Sequence, residues 1–168
     1  MPFCSGAKKL IEHLSYNKVP IAVATSSSEQ SYHQKTAVHK ELFSHMHHVV
    51  KGSTDPEVIN GKPAPDIFRI AAARFPNPPP TSKVRTQLAE WLSRCKMQCK
   101  MISTQTYLLQ CLAFEDAPNG VLSATSAGMQ CVMVPEDYIP EELTKKATLV
   151  LKSLVDFKPE EFGLPPYN

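Results

Sequence analysis

The fold is decided by residues 111–134, which read CLAFEDAPNGVLSATSAGMQCVMV. Two short apolar runs, Cys111–Phe114 and Cys131–Val134, enclose a segment with the apolar spacing of a helix from about Pro118 to Ala127. Gly128 follows that segment, and glycine commonly ends a helix. A strand, a helix and a second strand joined by short loops form the unit from which parallel sheets are built. The stretch therefore predicts an α/β protein with right-handed crossovers between its strands.

The same alternation of strands and helices continues on both sides of this stretch. Short apolar runs predict further strands at Ile21–Ala24, His48–Val50 and Thr148–Val150. Helical spacing predicts helices over Gly6–Asn17, Glu29–Phe43, Ile67–Phe75 and Glu141–Lys146. We therefore predict a single domain over residues 1–168, with a Rossmann-like parallel sheet at its core.

Residues 81–110, which follow the proline-rich run Pro76–Pro80, interrupt this alternation. They hold five basic residues and one acidic residue, and therefore carry a net charge of +4. We predict a basic insert that is helical or disordered. Basic residues beside Trp91 could contact RNA or an acidic partner, but one short run is weak evidence, so nucleic-acid binding is not expected.

The composition of the 168 residues excludes several classes of protein. A net charge of +2 is too small to predict binding to nucleic acid or to a membrane surface, and 42% hydrophobic residues exclude a disordered chain. The longest uncharged stretch, Ala117–Pro135, contains Pro118 and two glycines and cannot form a membrane-spanning helix. The first residues lack the pattern of a secretory signal, and the five cysteines are scattered. We therefore expect a cytoplasmic protein with reduced thiols and no membrane partner.

Three loops that we expect at the carboxyl edge of the sheet carry polar side chains, and ligands of open α/β sheets bind at this edge. The first is Thr25–Ser28, whose hydroxyls and backbone amides would form an anion site at the start of a helix. The alternative is a capping box of Ser26 with Glu29, which is compatible with anion binding. The second loop is Gly61–Asp66, where two prolines orient Lys62 and its compact charge suits a phosphate. The alternative is an exposed lysine in a proline turn.

The third loop begins with Glu115 and Asp116, two adjacent carboxylates directly after a predicted strand. They repel each other and lose hydration at the end of a buried strand, a cost that a bound Mg²⁺ would offset. The alternative is that Asp116 caps the following helix with Pro118 in its first turn, which leaves Glu115 as an ordinary solvated acid. Together, the hydroxyls, the lysine and the acidic pair are the polar parts of a phosphoryl-transfer site.

The three motifs also resemble those of a known family. Ala24–Ser27, Gly61–Asp66 and Phe114–Gly120 closely resemble, in order and wording, the second, third and fourth motifs of the haloacid dehalogenase (HAD) superfamily of Mg²⁺-dependent phosphohydrolases. The resemblance covers about residues 5–80 and 111–168. The tail of the chain resembles members of the family that act on pseudouridine 5'-phosphate.

The resemblance implies a role for each site residue. Thr25 and Ser26 would bind the phosphate, Lys62 would neutralise the phosphate and the nucleophile, and Glu115 and Asp116 would hold Mg²⁺. It also implies a phosphorylated small molecule of the nucleoside monophosphate class as the substrate.

The sequence departs from the family in one motif and one domain. The family's first motif is an Asp-x-Asp segment, whose first Asp attacks phosphorus and whose second acts as acid and base, and no Asp-x-Asp occurs here. The cap domain that the family places before its second motif has no counterpart either. We therefore expect a truncated member with largely lost catalysis and a weakened Mg²⁺ site, in which Lys62 is the remaining catalytic group. Two alternatives stay open: an active phosphatase of pseudouridine 5'-phosphate, and a non-enzymatic interaction module that uses the basic insert or open sheet edges.

The missing motif also affects the expected sheet. In the family, its strand is central and lies between the strands that here end near Thr25 and Glu115. An unsatisfied buried backbone group costs about 1–3 kcal/mol. The two strands must therefore pair directly, recruit a strand of another chain, which would produce self-association, or remain partly unfolded.

A histidine-rich run, His45–His48, lies outside these motifs. Its imidazoles can bind metal ions, but the run is too short to predict a site. We interpret His45 and His47 as solvated residues at the entrance to a strand.

Overall fold

A computed structural model describes residues 5–75 and 111–168 of the chain. Its α-helices are α1 (Ala7–Tyr16), α2 (Glu29–Thr36), α3 (Lys40–Phe43), α4 (Asp66–Ala73) and α5 (Pro118–Ser126). Its strands are β1 (Ala22–Thr25), β2 (His48–Lys51), β3 (Leu112–Glu115), β4 (Gln130–Met133) and β5 (Leu149–Val150). Short 3₁₀ helices lie at Ala37–His39, Glu141–Leu143, Leu154–Asp156 and Pro159–Phe162. The predicted strands are therefore found close to their expected bounds.

All pairings between these strands are parallel, so the predicted α/β fold is confirmed. β1 pairs with β2, and Ala24 lies opposite Val50. β4 lies between β3 and β5 in a second sheet, in which Phe114 is opposite Val132. The predicted insert, residues 81–110, lies outside the described residues.

The two sheets do not pair with each other through any strand of the described ranges. Direct pairing of β1 with β3, one of the three expected outcomes, is therefore wrong. The Thr25 carbonyl accepts the Gly52 N–H at 2.8 Å, and the Glu115 carbonyl accepts the Val134 N–H at 2.9 Å. Since successive residues of a strand point their backbone groups to opposite edges, Ala24 and Phe114 direct theirs toward the unpaired edges of β1 and β3.

Two clusters of apolar side chains hold the sheets side by side. The first joins both sheets through α4 and α5, with Val50, Ile67, Val121 and Met133 fully buried or nearly so. The second packs α1 and the C-terminal 3₁₀ helices against the opposite face, where Val132 is buried. The alternating side chains of β4 thus enter both clusters. The carboxyl ends of the strands are left at one edge, beyond the packed helices.

Two predicted helices are shorter than expected. The helix predicted over Glu29–Phe43 is broken at Ala37, because α2 buries no side chain that would hold it straight, and the Thr36 hydroxyl donates back to the Tyr32 carbonyl at 2.9 Å. The helix predicted over Glu141–Lys146 forms only a 3₁₀ turn. There the Thr144 hydroxyl donates to the Glu141 carbonyl at 2.8 Å.

The thiols and helices of the described part have two further properties. Cys111 and Cys131 are free thiols, and burial raises the pKa of Cys131 to about 12. At neutral pH this thiol is therefore not ionised. No helix within residues 5–75 and 111–168 is long and apolar enough to cross a membrane.

Candidate functional site

The loops after β1 and β2 and the loop before α4 enclose a cavity of about 170 Å³. Polar side chains line one part of it, those of Ser26, Ser53 and Lys62. Val58 and Ile67 line the apolar part, and the backbones of two glycines complete the wall. The cavity therefore brings together two of the predicted site residues, Ser26 and Lys62.

Lys62 lies between the two sheets and contacts both of them. Its Nζ donates to the Ala24 carbonyl of β1 at 3.2 Å and forms an ion pair with the Glu115 carboxylate of β3. It also lies 4.9 Å from the centre of the Phe68 ring. The side chain is only 15% exposed, so the expected alternative of an exposed loop lysine is wrong.

The loop that carries Lys62 is fixed from two sides. The Ala64 N–H donates to the Gly61 carbonyl at 3.0 Å, which closes a turn, and the Ser123 hydroxyl of α5 donates to the Ala64 carbonyl at 2.6 Å. Ser123 is fully buried. The position of the ammonium is therefore determined by the second sheet's helix as well as by its own loop.

Glu115 is the buried partner of this lysine. Its side chain is 9% exposed, so the alternative of an ordinary solvated acid is wrong. Burial raises the pKa of Glu115, the ion pair with Lys62 opposes the rise, and the charge of Asp116 adds to it. Gly120 packs against this carboxylate so closely that a Cβ atom at position 120 would collide with it.

Asp116 is exposed and does not cap α5, whose N-cap residue is Ala117 without a side-chain hydrogen bond. The expected capping role is therefore wrong. Mg²⁺ requires several oxygen ligands, usually including one or two free carboxylates. Glu115 is already paired with Lys62, and within the described residues no three His, Cys, Asp or Glu side chains gather around a common point. The arrangement therefore does not fit Mg²⁺ as it stands.

The loop after β1 is shaped by its own hydroxyls. The Ser27 N–H donates to the Thr25 hydroxyl at 3.1 Å, and the N-cap of α2 is Ser28, which accepts the Ser31 N–H at 3.3 Å. The expected capping box of Ser26 with Glu29 is therefore wrong. Because other residues satisfy the start of the helix, the Ser26 side chain is left at the cavity.

Sequence reasoning missed Gly52 and Ser53, which line the cavity after β2. The Ser53 hydroxyl donates to the Ser27 carbonyl at 3.1 Å and so ties the two loops together. The rule that drew attention to Thr25–Ser28, polar groups directly after a buried strand, applies equally to these two residues. It could have found them.

The loop that continues from Ser53 is held by Arg74 at the end of α4. Its guanidinium donates to the Asp55 carboxylate at 2.9 Å and forms an ion pair with Glu57. The hydrogen bond from Arg74 lowers the pKa of Asp55. This contact fastens the segment that supplies Val58 to the cavity wall.

Comparison with known proteins places these features in context. No protein-family model matches the chain. It is 49% identical to a "Probable pseudouridine-5'-phosphatase" of Drosophila melanogaster over 97% of this chain and 59% of the relative. It is 44% identical to "(DL)-glycerol-3-phosphatase 2" of Arabidopsis thaliana over 97% of this chain and 57% of the relative.

A solved structure has a fold similar to that of this chain. A HAD family hydrolase from Deinococcus radiodurans, crystallised with bound phosphate and sodium, superposes with a TM-score of 0.63 at 22% identity, over 96% of this chain and 61% of that one. The chain thus spans less than two thirds of the length of each of these three proteins.

Proposed function

Because the chain belongs to the haloacid dehalogenase superfamily, we propose that it binds a phosphorylated small molecule at the carboxyl edge of its two sheets. The observation that carries this proposal is the cavity in which Ser26, Ser53 and Lys62 meet. Hydroxyl donors and an ammonium group are well suited to the oxygens of a phosphate. The two relatives are named as phosphatases of pseudouridine 5'-phosphate and of glycerol 3-phosphate, and both of these compounds are phosphorylated small molecules.

In this proposal each residue has a defined task. Ser26 donates a hydrogen bond to a phosphate oxygen, and Lys62 supplies the positive charge. Ser53, whose hydroxyl proton is donated to the Ser27 carbonyl, holds the two loops together. Thr25 shapes the loop by accepting the Ser27 N–H, and its own hydroxyl proton stays available for the phosphate. Val58 and Ile67, on the apolar wall, contact the remainder of the ligand.

We propose further that catalysis is impaired. Covalent phosphoryl transfer needs an unprotonated nucleophile that can reach phosphorus. The sequence contains no Asp-x-Asp, Glu115 is held in an ion pair with Lys62, and Asp116 is exposed. Glu115 and Asp116 do not offer Mg²⁺ two free carboxylates, because Glu115 is paired with Lys62, and we propose that the Mg²⁺ site is weakened for this reason.

The test combines binding with turnover. Inorganic phosphate is titrated against the chain by calorimetry, and phosphate release from pseudouridine 5'-phosphate is followed with and without Mg²⁺. Lys62→Met should weaken phosphate binding by about tenfold or more, since a hydrogen bond to a charged group contributes about 1.5–3 kcal/mol. The matched control is Lys152→Met, which removes an exposed lysine of the C-terminal segment and should bind phosphate as the parent chain does. Release should not exceed the protein-free rate.

Two results would contradict these proposals separately. Turnover that survives in Lys152→Met and disappears in Lys62→Met would overturn the impairment of catalysis. A folded chain that binds no phosphate at all would overturn the phosphate site itself.

A second candidate function, a non-enzymatic interaction module, is favoured by one edge each of β1 and β3, with which no strand within residues 5–75 and 111–168 pairs. Such edges present rows of N–H and C=O groups that can pair with a strand of another molecule, including a second copy of this chain. Ala22 points its N–H to the free edge of β1, because its neighbour Ile21 bonds to β2 through its carbonyl. Ala22→Pro should therefore abolish association without breaking the β1–β2 ladder.

Sedimentation velocity over a range of concentrations tests this candidate. Association that is present in the parent chain and lost in Ala22→Pro would support strand addition at β1. A monomer at every concentration would exclude pairing between copies of the chain.

A further inference from the structure

His47 and His48 lie at the end of β2 opposite the phosphate cavity. Their rings are perpendicular, with centroids 5.1 Å apart, and their Nδ1 atoms are separated by 2.8 Å. The Phe75 ring lies against both, at 5.7 Å from the His47 ring and 4.8 Å from the His48 ring. Two imidazole nitrogens thus meet beside an apolar wall, in a part of the molecule that the proposed function does not use.

The hydrogen bonds define which nitrogen of His48 carries a lone pair and which carries a proton. Its Nε2 lies 2.9 Å from the Ala71 carbonyl, and a carbonyl can only accept, so Nε2 carries the proton. The neutral ring therefore presents a lone pair at Nδ1, and His47 must donate its Nδ1 proton to it.

We propose that His47 and His48 together bind one divalent transition-metal ion through their Nδ1 atoms, in the manner of Ni²⁺ or Cu²⁺. Imidazole nitrogens bind such ions at about 2.0–2.1 Å. In the hydrogen-bonded pair the two Nδ1 atoms face each other, so the exposed His47 ring must turn before both lone pairs face one ion. At that bond length, nitrogens that stay 2.8 Å apart then form close to a right angle at the metal. Right angles are those of square-planar and octahedral sites, which Cu²⁺ and Ni²⁺ prefer, whereas a tetrahedral Zn²⁺ site needs nitrogens farther apart.

The surroundings of His48 are those of a metal ligand. A histidine that ligates a metal commonly donates its other ring N–H to a backbone carbonyl, which orients the ring. His48 does so to Ala71, a residue buried in α4. Binding replaces the proton that the two rings share: His47 releases its Nδ1 proton to solvent and takes up a proton at Nε2, so both rings stay neutral.

The remaining coordination positions belong to water. Within residues 5–75 and 111–168 no third His, Cys, Asp or Glu side chain joins the pair in a common cluster. His45 is instead hydrogen-bonded to Ser15 through its Nδ1, at 2.9 Å. His47 is exposed directly before β2, as predicted from the sequence. The metal site gives it a further role, which is independent of the phosphate site.

Calorimetric titration of the full chain with Ni²⁺ tests the site. The parent chain should bind one more Ni²⁺ ion than either His47→Gln or His48→Gln, or bind it at least about tenfold more tightly, since even the loss of an outer partner of a ligand costs 10–100-fold. The matched control is His33→Gln, an exposed histidine of α2 that bonds to Glu29. It should bind Ni²⁺ as the parent chain does.

A second readout does not depend on the variants. In nitrogen-15 spectra of the imidazoles, paramagnetic Ni²⁺ should broaden the His47 and His48 signals before those of His33. His47 is exposed, so His47→Gln should fold even where His48→Gln does not, as circular dichroism will show. Ni²⁺ affinity and stoichiometry unchanged in His47→Gln, or broadening that begins at other histidines, would overturn the proposal.

Discussion

The β1–β2 sheet and the β3–β4–β5 sheet are built from similarly short strands, yet they are buried to different degrees. Every residue of β1 is half-buried, whereas Cys131, Val132 and Met133 of β4 are completely buried. β4 has a neighbour at both edges, but β1 has only β2 among the described strands. The second sheet therefore contains the more deeply buried strand, and the first supplies the hydroxyl-bearing loops of the candidate site.

Removing one apolar side chain from each sheet tests the difference in burial between the two sheets. Met133→Ala should lower the free energy of unfolding by about 2–5 kcal/mol, because it opens a cavity in the fully buried cluster. Val23→Ala, in the half-buried β1, should cost less than about 1.5 kcal/mol. Urea unfolding followed by circular dichroism measures both. Equal losses would mean that the two sheets are equally packed.

Lys62→Met tests the charged contact between the sheets. It leaves Glu115 buried without its partner, and breaking such a pair costs about 3–5 kcal/mol when fully buried, so we expect about 3 kcal/mol here. The loss should shrink at acid pH, where Glu115 is protonated and needs no cation. Urea unfolding at several pH values measures it, with Lys152→Met as the control that should show no such trend.

Gly120→Ala tests how closely α5 packs against the end of β3. The added methyl collides with the Glu115 carboxylate, and we expect a loss of about 1–3 kcal/mol. Gly61→Ala is the matched control, because a Cβ there meets no atom within 4 Å. Thermal unfolding of the two variants should differ accordingly. A tolerated Gly120→Ala would show that the Glu115 side chain can move away.

The smallest expected effect is the pH dependence that Glu115 itself produces. Its pKa is higher in the folded chain than its ordinary value of 4.5, so the folded state favours the protonated acid. The stabilisation that protonated Glu115 contributes to the folded state is therefore present below pH 4.5. It is lost as the pH rises through the raised pKa of the folded state. Glu115→Gln, which stays neutral, should flatten the fall in unfolding free energy on the alkaline side of pH 4.5. An unchanged slope would assign the pH dependence to other groups.

Much of the fold could be predicted from local pattern. Apolar runs such as Cys131–Val134 located the strands, because a parallel strand covered on both faces must be apolar throughout. The break at Ala37 could not be predicted, since it depends on α2 finding nothing to pack against. The spacing of apolar residues within a segment does not show which other elements pack against that segment.

Sequence patterns predicted which residues lie at the candidate site better than they predicted the contacts between those residues. The rule about strand ends selected Ser26 and Lys62, which do meet at the cavity. It could not show that Lys62 is paired with Glu115, because that contact joins loops far apart in sequence. Nor could it show that Thr25 would use its hydroxyl to accept a neighbouring amide. The roles of these residues in phosphate and metal binding remain predictions.

The contact of α4 with α5 has a consequence for how the chain can be connected. Ala72, near the end of α4, and Cys111, just before β3, belong to the same apolar cluster. The described residues near both ends of this interval thus pack into one cluster. In the loop-closure model, each doubling of the length of a connection adds only about 0.6 kcal/mol of closure entropy. The junction between the sheets is therefore a position where the length of the polypeptide can change with little thermodynamic penalty.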